Sequence, residues 1–246
     1  RRCGRLRYSF GTDIGLARDE NQDSVRCEYF GHNILAVVCD GMGGERAGKE
    51  ASSIAVEEFF QRFSAGYSER LNDEEIRTLL ISSVSAANSV IYTRARFDFK
   101  NFGMGTTCVA AFVGKNSAVI ANVGDSRAYL ITNDGLVQIT EDHNYAMDLY
   151  KHGKITEEEI ETHPQKHMLV KAVGVEKTVS ADTFVFDYED KISLLLCSDG
   201  LSGYCSDDEI YDVIMRSTFD DVADELITLA LSKGGRDNIT VAVISD

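Results

Sequence analysis

Two short apolar runs, each ending in aspartate and glycine, constrain the fold of this chain more than any other feature. Residues 34–38 lead into Cys39-Asp40-Gly41, and residues 192–196 lead into Cys197-Ser198-Asp199-Gly200. Short runs that are apolar throughout are typical of buried strands. Each strand therefore carries a carboxylate to its end, where glycine lets the chain turn without steric cost. Carboxylate and carbonyl oxygens placed in this way suit a hard cation such as Mg²⁺ or Mn²⁺.

Length and charge limit the classes of protein to consider. The chain has 246 residues, of which 43% are hydrophobic, so we expect residues 1–246 to form a single domain. Its formal net charge of -15 would repel a phosphate backbone, and no basic stripe follows residues 1–7, which argues against a nucleic-acid partner. No apolar run approaches the roughly 20 residues of a membrane helix. We expect a monomer without a membrane segment.

The cysteines indicate a reducing compartment. All six stand singly, without a Cys-x-x-Cys pair, and several lie within apolar strands, where free thiols behave as small hydrophobic side chains. This usage favours the cytoplasm over an oxidising environment.

The spacing of apolar residues predicts the other helices and strands. Residues 47–64 have helical spacing, and a second helix begins after Asn72, which forms a reciprocal cap with Glu75, and ends near Arg96. From Gly105 onwards, β-branched runs predict an antiparallel meander, with a hairpin turn at Asn133-Asp134-Gly135. The meander strands are predicted at 106–113, 117–123, 127–132 and 136–140. Further strands are predicted at 183–186, 192–197 and 238–244, and helices from Ser206 and over 219–232.

These elements predict an α+β fold with antiparallel sheets packed face to face and pairs of helices outside. A doubly wound parallel sheet fits the hairpins less well. Residues 145–175 differ from the rest, being polar and short-helical, with the only proline, Pro164, and a capping box at Thr156 and Glu159. We interpret this segment as an inserted flap.

Five aspartates beside glycine or at strand ends are candidate metal ligands: Asp23, Asp40, Asp125, Asp199 and Asp237. Singly, each is typical of a turn. If they converge, two charges about 4 Å apart repel by roughly 4 kcal/mol at an effective dielectric constant near 20, so the cluster needs cations or raised pKa values. The guanidinium of Arg18 could hold two phosphate oxygens. Two adjacent divalent ions would acidify a bridging water and align it for attack on phosphorus, which predicts phosphate monoester hydrolysis.

Six motifs, in order along nearly the whole chain, resemble the metal-dependent Ser/Thr protein phosphatases of type 2C (the PPM family), and within it the compact bacterial members. The resemblance implies an α-β-β-α sandwich of two antiparallel sheets flanked by helix pairs, with a metal centre in the cleft between the sheets. The motifs are Arg18-x-x-Asn21-Gln22-Asp23-Ser24, Asp40-Gly41-Met42-Gly43-Gly44, Gly103-Met104-Gly105-Thr106-Thr107, Gly124-Asp125-Ser126-Arg127, Ser198-Asp199-Gly200-Leu201 and Gly235-Arg236-Asp237-Asn238-Ile239-Thr240.

The resemblance also implies which residues hold two Mn²⁺ or Mg²⁺ ions. Asp40 would bridge both ions, the Gly41 carbonyl would bind one, and Asp199 and Asp237 would complete the other. This makes Asp40 and Asp199, together with the phosphate-binding Arg18, the expected catalytic residues.

Two further acids have implied roles at the edge of this centre. Asp23 would hold metal-bound water nearby, and Asp125 with Asp199 would form a weaker third metal site. The implied substrates are phosphoserine and phosphothreonine proteins, particularly those of a cognate bacterial Ser/Thr kinase. The flap would bias which phosphoprotein docks.

One position departs from the family pattern. Met42 stands where animal and plant relatives often carry a histidine that is a proposed general acid, and a thioether cannot donate a proton. Metal-bound water is one alternative donor, and His163 of the flap is another if it reaches inward. Surface or structural roles are expected of the other histidines, His32, His143, His152 and His167.

Other functions fit the sequence less well. No cysteine has an arginine six positions later, as a cysteine-dependent phosphatase loop requires, and the third glycine of a dinucleotide-binding motif would fall on Arg46. The alternative from another class is a non-catalytic module that binds phosphoproteins without turnover. The intact set of acids argues against it.

Overall fold

The computed structural model describes residues 5–44, 47–97, 101, 103–189 and 192–246. Residues outside these ranges, among them Cys3 and Arg46, are not described. In chain order the elements are β1 (Arg7–Asp13), β2 (Asp23–Phe30), β3 (Asn33–Met42), α1 (Ala47–Gly66), α2 (Asp73–Phe97), β4 (Gly105–Thr106), β5 (Cys108–Val113), β6 (Ser117–Val123), β7 (Arg127–Ile131), β8 (Leu136–Gln138), α3 (Tyr145–Lys151), α4 (Glu157–Ile160), β9 (Asp182–Asp187), β10 (Ser193–Cys197), α5 (Asp199–Ser202), α6 (Asp207–Arg216), α7 (Val222–Ser232) and β11 (Ile239–Ser245).

The strands form two antiparallel sheets. One has the order β2-β3-β5-β6-β9, with β4 paired to β3, and the other has the order β1-β11-β10-β7-β8. A middle core between them joins Ile34, Ala36 and Val38 of β3 to Leu194 and Leu196 of β10. Side chains that alternate along a strand point to opposite faces, so the odd-numbered residues of β3 face the helices instead. The predicted α+β sandwich is confirmed.

Helices cover the outer face of each sheet. Phe59, Phe60 and Phe63 of α1, together with apolar residues of α2, pack on the first sheet. Helices α5, α6 and α7 pack on the second sheet through residues such as Leu201, Ile210 and Leu226. The layers therefore run helix, sheet, sheet, helix. In the described ranges, no helix combines the length and the apolar character needed to cross a bilayer.

The predicted helix starts are confirmed in detail. The Asn72 side chain accepts from the Glu75 N–H at 3.0 Å, and the Glu75 carboxylate accepts from the Asn72 N–H at 2.9 Å. Capping boxes at Thr156 and Ser206 have the same reciprocal geometry. The five described cysteines are buried and free, as the thiol interpretation requires.

The meander prediction is wrong in one respect. Strands β5 and β6 pair in the first sheet, whereas β7 and β8 pair in the second, so residues 106–140 form two hairpins in different layers. The chain crosses between the sheets at Gly124, whose φ of 106° lies in a region that glycine enters without steric cost. The turn at 133–135 does join β7 to β8, and the Thr132 N–H donates to the Gly135 carbonyl at 2.9 Å.

Candidate active site

A cleft of about 1050 Å³ opens at one rim of the sandwich. Six of the seven residues predicted for the site line it: Arg18, Asp40, Gly41, Asp125, Asp199 and Asp237. Asp40 lies near the end of β3 and Asp199 begins α5 directly after β10, so the two acids come from opposite sheets. Asp125 lies in the crossing between β6 and β7, and Asp237 precedes β11. The fold thus brings residues that are far apart in sequence to one rim.

Gly41 permits a close approach of two backbones at the floor of the cleft. A Cβ atom at Gly41 would lie 2.0 Å from the carbonyl oxygen of Gly48 in the first turn of α1. Any larger residue would push α1 away from β3. The Gly41 N–H donates to the Gln22 carbonyl at 3.2 Å, which joins the loop after Arg18 to the same floor.

Asp23 lies behind the cleft rather than in it. It is paired with Asp40 in the β2–β3 register, is 1% exposed and does not line the cleft. Its Oδ2 accepts from the Ser198 hydroxyl at 2.7 Å, but its buried Oδ1 has no hydrogen-bond partner. Burial raises the pKa of Asp23 from 3.8 to about 6.

The acids of the cleft disfavour one another's charge. Desolvation raises the pKa of Asp40 well above its usual range, and the charges of Asp23 and Asp199 add to this shift. Burial likewise raises the pKa of Asp125 well above its usual range, with Asp199 as the largest charge contribution. The Oδ1 atom of Asp199 is buried without a hydrogen-bond partner. Such a set of carboxylates is poised to gain from bound cations.

The donor set fits hard divalent cations that keep part of their hydration. Within the described ranges, no three His, Cys, Asp or Glu side chains form a ready-made cage around one point. Magnesium, however, is commonly held by one or two carboxylates while water fills its other positions. The buried oxygen of Asp199 that has no hydrogen-bond partner and the raised pKa of Asp40 both agree with such a site.

Arg18 faces the cleft from the loop between β1 and β2. Its Nη2 donates to Oδ2 of Asp237 at 2.8 Å, and this hydrogen bond raises the pKa of Arg18. The Arg18 side chain is 53% exposed, so it can change partners without repacking the core.

Asn238 holds the Arg18 loop in place, a role that the sequence analysis did not assign. Its Oδ1 accepts from the Gln22 N–H at 2.8 Å, and its Nδ2 donates to the carbonyls of Ile14 and Glu20 at 2.9 and 3.0 Å. The backbone N–H of Asn238 donates to Oδ1 of Asp237 at 2.9 Å. The side-chain amide of Asn238 therefore fixes both ends of the loop, and its backbone N–H holds the acid that Arg18 contacts.

Of the three flap histidines, His163 does not reach inward as a proton donor would have to, and His167 lies beside the site as well as at the surface. His163 does not line the cleft, and its Nδ1 accepts from the nearby Gln165 N–H at 3.2 Å. His167 does line it, with Nδ1 3.2 Å from Oδ2 of Asp199, and this contact raises the pKa of His167. The turns after Pro164 separate the two rings, because the Lys166 N–H bonds to the His163 carbonyl and bends the segment.

The other histidines behave as expected, and Met42 lines the cleft. His143 is 5% exposed, accepts from the Gly124 N–H at 3.0 Å through Nδ1 and lies 3.2 Å from Asp182. Burial lowers the pKa of His143, which therefore braces the Asp125 turn as a neutral ring.

Comparisons with known proteins agree with this geometry. The sequence profile of the family described as protein phosphatase 2C matches residues 17–237. The serine/threonine phosphatase stp of Listeria welshimeri is 41% identical, covering 97% of this chain and 95% of its own length. The crystal structure of serine/threonine phosphatase Stp1 from Staphylococcus aureus has a TM-score of 0.91 at 39% identity, covering 98% of this chain and 95% of that one. The catalytic domain of the phosphatase PstP, solved with two manganese ions, has a TM-score of 0.81 at 32% identity, covering 97% of each chain.

Proposed function

Because the chain belongs to the protein phosphatase 2C family and is a metal-dependent serine/threonine protein phosphatase, we propose that the cleft at the sandwich rim is its active site. The observation that carries this proposal is the convergence of Arg18 and four carboxylates on one cleft, where charge repulsion and burial favour bound cations. The reaction is hydrolysis of phosphoserine and phosphothreonine monoesters on proteins.

Asp40, Asp199, Asp237 and the Gly41 carbonyl are the proposed ligands of two Mn²⁺ or Mg²⁺ ions. Asp125 together with Asp199 is the proposed ligand pair of a weaker third ion, and both line the same cleft. When bound, such ions supply Lewis acidity toward the phosphate oxygens and lower the pKa of water. Asp23 contributes from behind Asp40, where its carboxylate can orient a water or protonate, since its pKa is raised to about 6.

Arg18 is the proposed phosphate-binding residue. In the structure it donates to Asp237, an acid that we assign to a metal. Release of Asp237 would turn the guanidinium toward the substrate phosphate, which it can hold through two parallel hydrogen bonds. Because the Arg18 side chain is exposed and Asn238 holds the loop, Arg18 can change partners without a movement of the loop backbone.

The setting of this activity is a further part of the proposal. We propose a cytoplasmic monomer that acts on the products of a cognate bacterial Ser/Thr kinase, with the flap biasing which phosphoprotein docks. Light scattering during size exclusion tests the monomer. Phosphoproteomics of a lysate treated with the protein, with and without Mn²⁺, tests the substrates.

A direct assay separates catalysis from binding alone. Purified protein should release phosphate from a phosphothreonine peptide with Mn²⁺, and EDTA should abolish the release. A non-catalytic binding module would retain the peptide, as measured by calorimetry or fluorescence anisotropy, and release no phosphate in either condition. That outcome would overturn the proposed function.

A further inference from the structure

Two buried hydroxyls lie beneath the cleft, and neither has a role in the function proposed above. Thr107 follows β4 and Ser126 precedes β7; they are 1% and 0% exposed, and their hydroxyl oxygens are 2.6 Å apart. Thr107 also lines the cleft. Polar groups as deeply buried as these are stable only when hydrogen-bonded, so each hydroxyl depends on its partners for its position.

Thr107 holds the backbone of Asp40 on both sides. The Asp40 N–H donates to Oγ1 of Thr107 at 2.9 Å, and the Thr107 N–H donates to the Asp40 carbonyl at 2.8 Å. The hydroxyl of Thr106 donates to the same carbonyl at 2.8 Å. Both peptide planes that flank Asp40 are therefore fixed, and they set the direction in which its carboxylate points.

The second hydroxyl connects this clamp to the loop that carries Asp125. Ser126 directly follows Asp125, and Gly124 directly precedes Asp125. The backbone of Gly124 packs on Thr107. A Cβ atom at Gly124 would lie 2.5 Å from Cγ2 of Thr107. The hydroxyl pair is thus the point where the Asp40 strand and the Asp125 loop meet.

We propose that Thr107 and Ser126 act as one positioning unit that sets the spacing between Asp40 and Asp125 and so prepares the cleft for divalent cations. This inference rests on the proposed function. Neither residue touches substrate; both act through the acids they orient. Groups that orient metal ligands are often as important to metal affinity as the ligands themselves.

Calorimetric titration of the purified protein with MnCl₂, without substrate, tests the unit. Thr107→Val keeps the side-chain shape and removes the hydroxyl, so Mn²⁺ should bind about tenfold more weakly, at the low end of the loss typical of such groups. Thr107→Ser keeps the hydroxyl and should retain the affinity of the unsubstituted protein. Ser126→Ala should lose affinity as well, and the double variant should lose no more than Thr107→Val alone, because the two hydroxyls act together.

Thr140→Val is the matched control. Oγ1 of Thr140 also accepts a backbone N–H, from Ala128 at 3.0 Å, but Thr140 does not line the cleft. This variant should lose a comparable buried hydrogen bond and bind Mn²⁺ normally. Thermal unfolding of every variant reports on folding, and Ser126→Ala carries the test should Thr107→Val not fold.

Unchanged Mn²⁺ affinity in Thr107→Val and Ser126→Ala would overturn the positioning unit, as would strictly additive losses in the double variant. Equal losses in the Thr140→Val control would overturn it too, because the effect would then be general destabilisation. Failure of the unsubstituted protein to bind Mn²⁺ or to hydrolyse phosphopeptide would instead refute the proposed function. The two failures are therefore distinguishable.

Discussion

At the scale of single residues, the acids of the cleft differ from other aspartates in where their charge lies. Asp40 and Asp199 reach one cleft from opposite sheets. Burial and neighbouring charges raise the pKa of Asp40, and the buried Oδ1 of Asp199 has no hydrogen-bond partner. Asp134 also precedes a glycine, but it lies in an exposed hairpin turn. Identical dipeptides thus have different chemistry because the fold places only two of them at the rim.

This difference gives the first prediction. Asp40→Asn and Asp199→Asn should each lower kcat on a phosphothreonine peptide by at least about a hundredfold, because an amide keeps the shape but cannot neutralise a cation, and metal positioning supplies much of the catalysis. Asp134→Asn is the matched control and should keep normal turnover. Steady-state kinetics at saturating Mn²⁺ measure all three. Near-normal rates in both cleft variants would refute the assigned centre.

Arg18 gives a prediction of a different kind. Arg18→Ala should mainly raise KM, roughly tenfold or more, because a phosphate clamp acts in both the ground state and the transition state. Arg62→Ala removes an arginine that donates to Ser82 on the helical surface and should leave KM unchanged. A loss of kcat at constant KM in Arg18→Ala would contradict the phosphate-binding role.

At the scale of elements, the sequence predicts those strands and helices that have a clear local pattern of apolar residues. Strands β3, β5, β6 and β10 are apolar over most of their length because both of their faces are covered, so the runs themselves reveal them. Strands β1 and β2 went unpredicted because most of their residues are only partly buried, which leaves no apolar run. The crossing at Gly124 depends on which sheet each hairpin joins, a tertiary choice that β-branched spacing does not encode.

The same reasoning applies to the candidate site. The aspartates were predictable because each stands in a short motif near a strand end, and Arg18 was predictable because it lies in the same motif as Asp23. His167 was not, since its direction depends on turns within the flap, where no periodic pattern constrains a side chain. Thr107 belongs to one of the motifs quoted above, but its role depends on a contact with Ser126, which directly precedes a strand of the other sheet.

The flap has an anchor of its own on α2. The buried side chain of Asn88 accepts from the Gly174 N–H at 2.7 Å and donates to the carbonyls of Glu176 and Lys177 at 3.1 and 3.2 Å. Just before Gly174, Val173 exchanges two backbone hydrogen bonds with Thr106, at 3.0 and 2.8 Å. The end of the flap is thus tied both to a helix and to the clamp on Asp40.

Asn88→Ala should therefore loosen the end of the flap. The buried Gly174 N–H loses its partner, which typically costs about 1–3 kcal/mol, whereas the carbonyls of the exposed residues Glu176 and Lys177 can bond to water instead. Amide hydrogen exchange of residues 173–177, read by mass spectrometry, should become faster, while the sheet amides stay protected. Ser89→Ala, on the exposed neighbouring position of α2, should leave exchange unchanged. Equal protection of 173–177 in Asn88→Ala would contradict the anchor.

At the scale of the whole molecule, the formal net charge of -15 and the cluster of acids in the cleft both favour the binding of cations. Cations that bind the folded state and not the unfolded chain stabilise it by mass action, by about 2.7 kcal/mol at a hundredfold excess over Kd. Mn²⁺ should therefore raise Tm at pH 7.5. Asp40→Asn should reduce this rise, which scanning calorimetry with MnCl₂ or EDTA measures.

The sign of the pH dependence without metal follows from Asp23. Its pKa is 3.8 in the unfolded chain and about 6 in the folded protein. Between these two pH values, the folded protein therefore holds a proton that the unfolded chain has released. The stability that this proton provides is complete below pH 3.8 and is lost as the pH rises through about 6, a change on the order of 3 kcal/mol. Other carboxylates impose slopes of their own, so the measurement is the difference in unfolding free energy between the EDTA-treated protein and Asp23→Asn. That difference should shift in favour of Asp23→Asn as the pH rises from 4 to 7, because the amide cannot become charged, whereas a constant difference would mean that Asp23 titrates as it does in water.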